Sequence, residues 1–208
     1  MSDESWHPGQ GGASRAAGAK GRDGMARLSY LDAGDLAEAD RDLLARPIAL
    51  HRLLVHSPGA ARAFGGLGSY IRHGSKLDPR LRELAILQVG WLARSSYEWS
   101  HHVKIGQDFG VSEADIEGLI ADSAGRPSGL DAPALAVLRA AREMTAGLAA
   151  SEASFAALRG LLDDADLTDL VLTIAFYNAV VRFLATMQVD VEPQYQRYLD
   201  RFPLPEGG

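Results

Sequence analysis

The chain has 208 residues, a formal net charge of −6, no cysteine, 47% apolar residues and 23% charged residues. Such totals suit one globular domain with a proper core. The acidic balance argues against a nucleic-acid surface, which needs a basic patch. Zero cysteine removes disulfides, thiolate catalysis and thiolate metal ligation together.

Residues 1–24 are rich in Gly, Ser and Ala and lack apolar periodicity, so a flexible tail is expected there. Within it Trp6 and His7 are the groups able to dock on a neighbour, and Met25, opening MARLSYLD, reads as a plausible start. One domain is expected over 25–208. No window reaches eighteen uninterrupted apolar residues and the N-terminus has no apolar h-region, so neither a membrane span nor a secretory signal is expected. The expected setting is cytoplasmic.

Helical composition runs from Leu36 to His56, broken at Arg46-Pro47, and Pro58 opens a helix to about His73. Gly65, Gly66 and Gly68 weaken that helix by about 1 kcal/mol each. They mark either close approach of another helix or simply a poor helix. Asp78-Pro79 is a start signal, with an N-cap side chain followed by the residue that has no N–H to lose. Beyond it Glu83, Ile86, Leu87 and Gly90 share one face, which sets a carboxylate inside an apolar stripe. The pattern breaks at Arg94 to Ser96, and a second helix runs on to Gly110, a suitable residue just past a C-terminus. On it Ser95, Glu98 and His102 share a face, while His101 points about 100° away and is expected at the surface or an interface.

Ser112 opens a helix to about Ala121, and 121–130 reads as a loop. Helices follow over Asp131–Leu148, Ser151–Leu162 and Asp166 to about Gln188. The last is apolar on nearly every side and is expected to be buried all round, inside the domain or between subunits. Its Thr173, Asn178 and Arg182 make it too short and too interrupted for a membrane span. Tyr177 and Asn178, polar inside it, must find partners, in a cavity or across an interface. Tyr195, Tyr198 and Phe202 pin down the C-terminal segment. No alternating strand pattern occurs, so the fold class is all-α, with the two central helices packed as an antiparallel pair.

The runs Arg80-Leu81-Arg82-Glu83-Leu84-Ala85-Ile86-Leu87 and Tyr97-Glu98-Trp99-Ser100-His101-His102 come first. Phe176-Tyr177-Asn178 and Arg182-Phe183-Leu184 follow. Together they resemble the carboxymuconolactone decarboxylase and alkyl hydroperoxidase D-like family over about 47–191. The resemblance implies a helical bundle assembled as a homo-oligomer, a trimer, dimer or hexamer. In the family's peroxidase branch a glutamate, a CxxC pair and a histidine do the chemistry. Glu83 and His102 match the glutamate and histidine, whereas Ser95 and Glu98 stand at the cysteine positions. Thiol peroxidase chemistry, which passes through a sulfenic acid and a disulfide, is therefore excluded. The decarboxylase branch works without cysteine, metal or organic cofactor. It implies a lyase or isomerase acting on a small carboxylated molecule.

The candidate catalytic residues are thus His102 as acid or base, Glu98 as its orienting partner and Glu83 as a second proton-transfer group with its pKa raised by burial. Failing that role, Glu83 would pair with Arg80 or Arg94. Ser95, Tyr97, Trp99 and Tyr177 are the candidate substrate contacts, although Tyr97, Trp91 and Trp99 also suit a core. Glu83, Glu98 and His102 could supply three metal ligands, but there is no HExxH and no second histidine on that face, so neither metal nor cofactor is expected. Glu83 lies eleven residues before Arg94 and His102 six after Ser96, a mismatch that a tilt or a subunit neighbour would have to close. The competing expectation is a non-catalytic oligomeric scaffold or ligand-binding protein. An enclosed pocket holding all three residues favours an enzyme; a pocket filled by Trp and Leu favours the scaffold.

Overall fold

The computed structural model describes residues 25–205; the tail expected over 1–24, with Trp6 and His7, lies outside them. Among the described residues every regular element is helical. A short 3-10 helix, Glu38–Leu44, leads into α1 (Ala49–Leu54) and α2 (Pro58–Ser69). The chain then widens into a π-helical turn, Tyr70–Gly74, before α3 (Pro79–Leu92) and α4 (Ser96–Asp108). Next come α5 (Glu113–Ser123), α6 (Ala132–Ala146), α7 (Glu152–Arg159), α8 (Asp164–Met187) and α9 (Gln196–Arg201).

Local chemistry sets most boundaries. Asp78 accepts the Leu81 N–H at 2.9 Å with Pro79 in the first helical position, so α3 begins where its sequence signals it. Ser112 and Asp115 form a capping box on α5, and Gly110 takes φ of 93° just past α4. Between α3 and α4 the chain turns on Arg94, at φ 49°, after which Ser95 caps α4. Asp163 caps α8, so that helix begins earlier than its apolar run suggests.

Helix α3 is the axis of the bundle, buried continuously from Leu81 to Gly90 and packed against α4, α6 and α8. Its close pairing with α4 needs Gly90, where a Cβ would come within 3.3 Å of the Trp99 backbone nitrogen. Two turns earlier, Glu83 lies opposite Gly106. The antiparallel register therefore sets Glu83 and His102 within reach in a single chain, with no subunit neighbour needed.

Four expectations are decided or changed. A Cβ at Gly65 or Gly66 would meet nothing within 4 Å, and at Gly68 only the edge of Phe176, so no helix of this chain packs closely on the α2 glycines. Helix α8 spans 24 residues, long and apolar enough by length and composition to cross a membrane, so it is not too short. It is nonetheless one wall of the bundle, with Leu170, Ile174 and Tyr177 turned inward. Nor is it buried all round, because Thr168, Leu172, Ala175 and Ala179 form an uncovered stripe, with Leu172 37% exposed. Asn178 bonds within the chain, to Thr145 of α6 at 3.0 Å and to the Ile174 carbonyl, rather than lining a cavity.

Candidate active site

Helix α4 is buried from Tyr97 through Val103, so each polar side chain on it must be partnered inside the protein. His102, 4% exposed, answers on both ring nitrogens. Nδ1 lies 2.7 Å from Glu83 Oε2, and Nε2 lies 3.0 Å from Glu98 Oε1 one turn earlier on α4. Both carboxylates are buried, at 1% and 3% exposure. The Glu98 contact is an ion-pair separation off the N–H axis, and Glu98 Oε1 has no hydrogen-bond partner among the described residues.

Glu83 has a second cation. Arg82 Nε donates to its Oε1 at 3.1 Å, from a guanidinium that lies over the Phe109 ring and is itself buried. Sequence reasoning passed over Arg82 because neighbours i and i+1 do not face each other on a helix. The long arginine side chain reaches round regardless. The two partners named for Glu83 are engaged or absent. Arg80 binds Asp115 and Asp131, and Arg94 shows no ion pair to Glu83.

These contacts set the charges. Burial alone would lower the pKa of His102, but Glu98 and Glu83 outweigh it and raise it to about 9. Burial would raise Glu83, yet the His102 charge, its hydrogen bond and the cations of Arg82 and Arg72 pull it below the ordinary value. Glu83 is therefore not the raised, proton-carrying carboxyl that burial by itself suggests. At neutral pH the cluster holds a carboxylate–imidazolium pair backed by a guanidinium.

His102 and Glu98 form part of the wall of a cavity of about 230 Å³ between α2, α4 and α8. Glu83 lies behind the ring and does not line it. Tyr97 and Tyr177 do line it; Tyr177 meets the His102 ring edge-on, with centroids 5.0 Å apart, and burial raises its phenol pKa. Ser95 and Trp99 do not belong to the site. The Ser95 hydroxyl is taken up capping α4, accepting from the Glu98 N–H. Trp99 is fully buried and donates from Nε1 to the Phe202 carbonyl at 2.7 Å, in the core. Because Glu83 and Glu98 bind opposite edges of the ring, the three residues do not converge on one ion, and no metal-binding cluster of three such side chains occurs among the described residues.

His101, expected at the surface, is 3% exposed. Its ring is stacked between Tyr97 and Tyr195, with centroids 4.0 and 3.6 Å away, and its Nε2 lies 3.1 Å from Glu192 Oε2. The C-terminal segment through α9 folds over α4 and covers that face, a long-range contact with no local sequence signal.

Residues 58–143 match the model of the carboxymuconolactone decarboxylase family. No curated protein matches the chain. Among solved structures, a cysteine-to-alanine variant of the debrominase Bmp8 in complex with a tribromopyrrole superposes with a TM-score of 0.70 at 17% identity, over 85% of this chain and 99% of that one. An alkylhydroperoxidase AhpD core protein, peroxidase-related, from Ralstonia eutropha gives 0.69 at 19% identity, over 84% and 95%. A peroxidase-related protein from Silicibacter gives 0.59 at 19% identity, over 76% and 83%. At these identities the likeness establishes the alkyl hydroperoxidase D-like helical fold.

Proposed function

We propose that this protein, whose residues 58–143 match the model of the carboxymuconolactone decarboxylase family and which has no cysteine, is a cofactor-independent lyase or isomerase acting on a small carboxylated molecule. The observation that carries the proposal is His102, charged between two buried carboxylates and set in the wall of a cavity. At about 230 Å³ the cavity is smaller than the roughly 300–1,000 Å³ of pockets that take drug-sized ligands. Arg46, Arg72 and His73 on its lining favour an anion.

The roles of the two glutamates are the reverse of those suggested by sequence. Glu83 orients the ring and stabilises its charge from behind. Glu98, on the cavity side with a free lone pair on Oε1, is the base. In a decarboxylation the C–C bond to the carboxylate breaks and CO₂ leaves. The electron pair passes into a conjugated carbonyl of the substrate, and the carbon takes a proton from His102 Nε2. In an isomerisation Glu98 removes a proton from carbon and His102 returns one at another position. A positioned acid or base of this kind contributes about 10²–10⁴-fold.

The test is incubation with small lactone acids and unsaturated acids in deuterium oxide, following CO₂ release and deuterium uptake at carbon. The wild type should produce one or both; His102→Gln should match the blank. A panel without either would favour the non-catalytic binding role. Peroxide consumption coupled to a dithiol reductant should equal the buffer blank, because Ser95 and Glu98 replace the reactive pair; protein-dependent turnover would contradict the assignment.

Self-assembly belongs to the same proposal. The uncovered α8 stripe, with Leu172 exposed, has no cover within the described residues, and apolar surface of this kind marks interfaces. A stable trimer or dimer burying more than about 2,000 Å² in total is expected. Sedimentation giving a clean monomer at micromolar concentration would refute it.

A further inference from the structure

The cavity contains a cation that acts on the acid–base cluster only from a distance, drawing Glu83 down without an ion-pair contact to it. Arg72 lines the cavity from the π-helical turn Tyr70–Gly74. Its Nε is fully buried and makes no hydrogen bond among the described residues. The neighbouring guanidinium groups have carboxylate partners, the buried Arg82 on Glu83 and the part-exposed Arg80 on Asp115; among the described residues no ion pair falls to Arg72. A buried donor without a partner is costly, on the order of 1–3 kcal/mol. Such groups persist where a ligand completes them.

The turn is built to hold this side chain in place. Its wide i to i+5 hydrogen bond runs from the Ser75 N–H to the Tyr70 carbonyl, and π-helical turns of this kind are frequent at functional sites. A Cβ at Gly74 would come within 2.7 Å of the Tyr70 ring, so the glycine lets that ring lie against the turn. The Arg72 carbonyl accepts from Arg82 Nη1 at 3.3 Å, so the turn is tied to the guanidinium that backs Glu83. The Arg72 cation lies against the Tyr177 hydroxyl, whose pKa it lowers against the dominant effect of burial. Two donor groups, a guanidinium and a phenol, therefore meet on the wall that also holds His102.

We propose that Arg72 is the residue that anchors the substrate's carboxylate and so selects acids over their neutral esters. A planar guanidinium can hold a carboxylate through two parallel hydrogen bonds, which a neutral ester cannot match as an acceptor. Anchoring there would place the rest of a small molecule between Phe64, Phe176 and the His102–Glu98 edge. This rests on the proposed reading of the cavity as a reaction site and assigns the part that recognises charge.

The experiment measures binding of levulinate, crotonate and γ-butyrolactone-γ-carboxylate, each against its methyl ester, by calorimetry on the full chain. In the wild type at least one acid should bind about ten-fold or more tighter than its ester. Arg72→Gln should remove that preference, bringing acid and ester to similar affinity. Arg72→Lys, which keeps a point charge without the fork, should retain part of it, and it serves as the probe if the glutamine variant does not fold. An acid preference that survives in folded Arg72→Gln, or no preference in the wild type, would each overturn the assignment. An acid that binds through Arg72 but is never turned over by the wild type would sink the enzymatic reading instead and leave the anchor standing.

Discussion

Turnover should fall by about 10²–10⁴-fold in His102→Gln, the contribution of one positioned acid or base. Glu83→Gln should cost nearly as much, although Glu83 never touches the cavity. Its carboxylate fixes the ring through Nδ1 and contributes to holding it charged, so the neutral amide would leave a ring with a lowered pKa and a freer orientation. The pH profile distinguishes the two. His102→Gln should lose its alkaline limb altogether, whereas Glu83→Gln should shift that limb downward. His102→Ala is the poorer variant, because it strands Glu83 and Glu98 in a buried site with no imidazolium between them. Breaking a buried ion pair by removing one member costs roughly 3–5 kcal/mol, and loss of fold would then be confused with loss of chemistry. Retained turnover in a folded His102→Gln protein would remove His102 from the mechanism.

Stability should fall on the order of 3 kcal/mol as pH rises from about 6.5 to 9.5, in proportion to the His102 shift. The sign follows from linkage. The folded pKa of about 9 lies above the ordinary 6.5, so the native state binds the extra proton. That stabilisation is complete below pH 6.5 and is lost as pH passes through 9. The group is fully buried, so solvent screening does not reduce it. Glu83, held below its ordinary value, acts at the other end: its contribution is present above about pH 4.5 and is lost as pH falls further. Above pH 10 the buried phenols of Tyr97 and Tyr177, both raised by burial, would add their own alkaline loss, so the window should stop short of it. Urea unfolding at intervals across the window should show the decline in the wild type and a flat profile in His102→Gln. A decline of the same size in that variant would assign it to other groups.

Local signals carried much of the helical architecture and half of the site. Asp78-Pro79 and Gly110 bound the central pair because caps and positive-φ residues act within a few positions of themselves. Glu98 and His102 are four apart on one helix, and their contact follows from the helical period alone. What the sequence left hidden depends on long-range packing. Arg82 reaches Glu83 across a spacing at which helix neighbours normally diverge. His101 is covered by a segment some ninety residues further on, and Glu192 reaches it from the loop after α8. Arg72 depends on a π-helical turn, for which residue pattern offers no marker. Ser95 and Trp99 misled for the opposite reason. Their positions suit a site, but a cap and a core hydrogen bond had already taken up their polar atoms. Glu83 was placed correctly and its charge misjudged, since burial was visible in the apolar stripe and the two cations beside it were not.

The most direct measurement is an NMR titration of the His102 ring, with its Cε1 resonance assigned by comparison with His102→Gln. The midpoint should lie near pH 9 in the wild type and move down in Glu83→Gln. A wild-type midpoint at or below the ordinary 6.5 would contradict the doubly paired, charged imidazole on which the proposed chemistry depends.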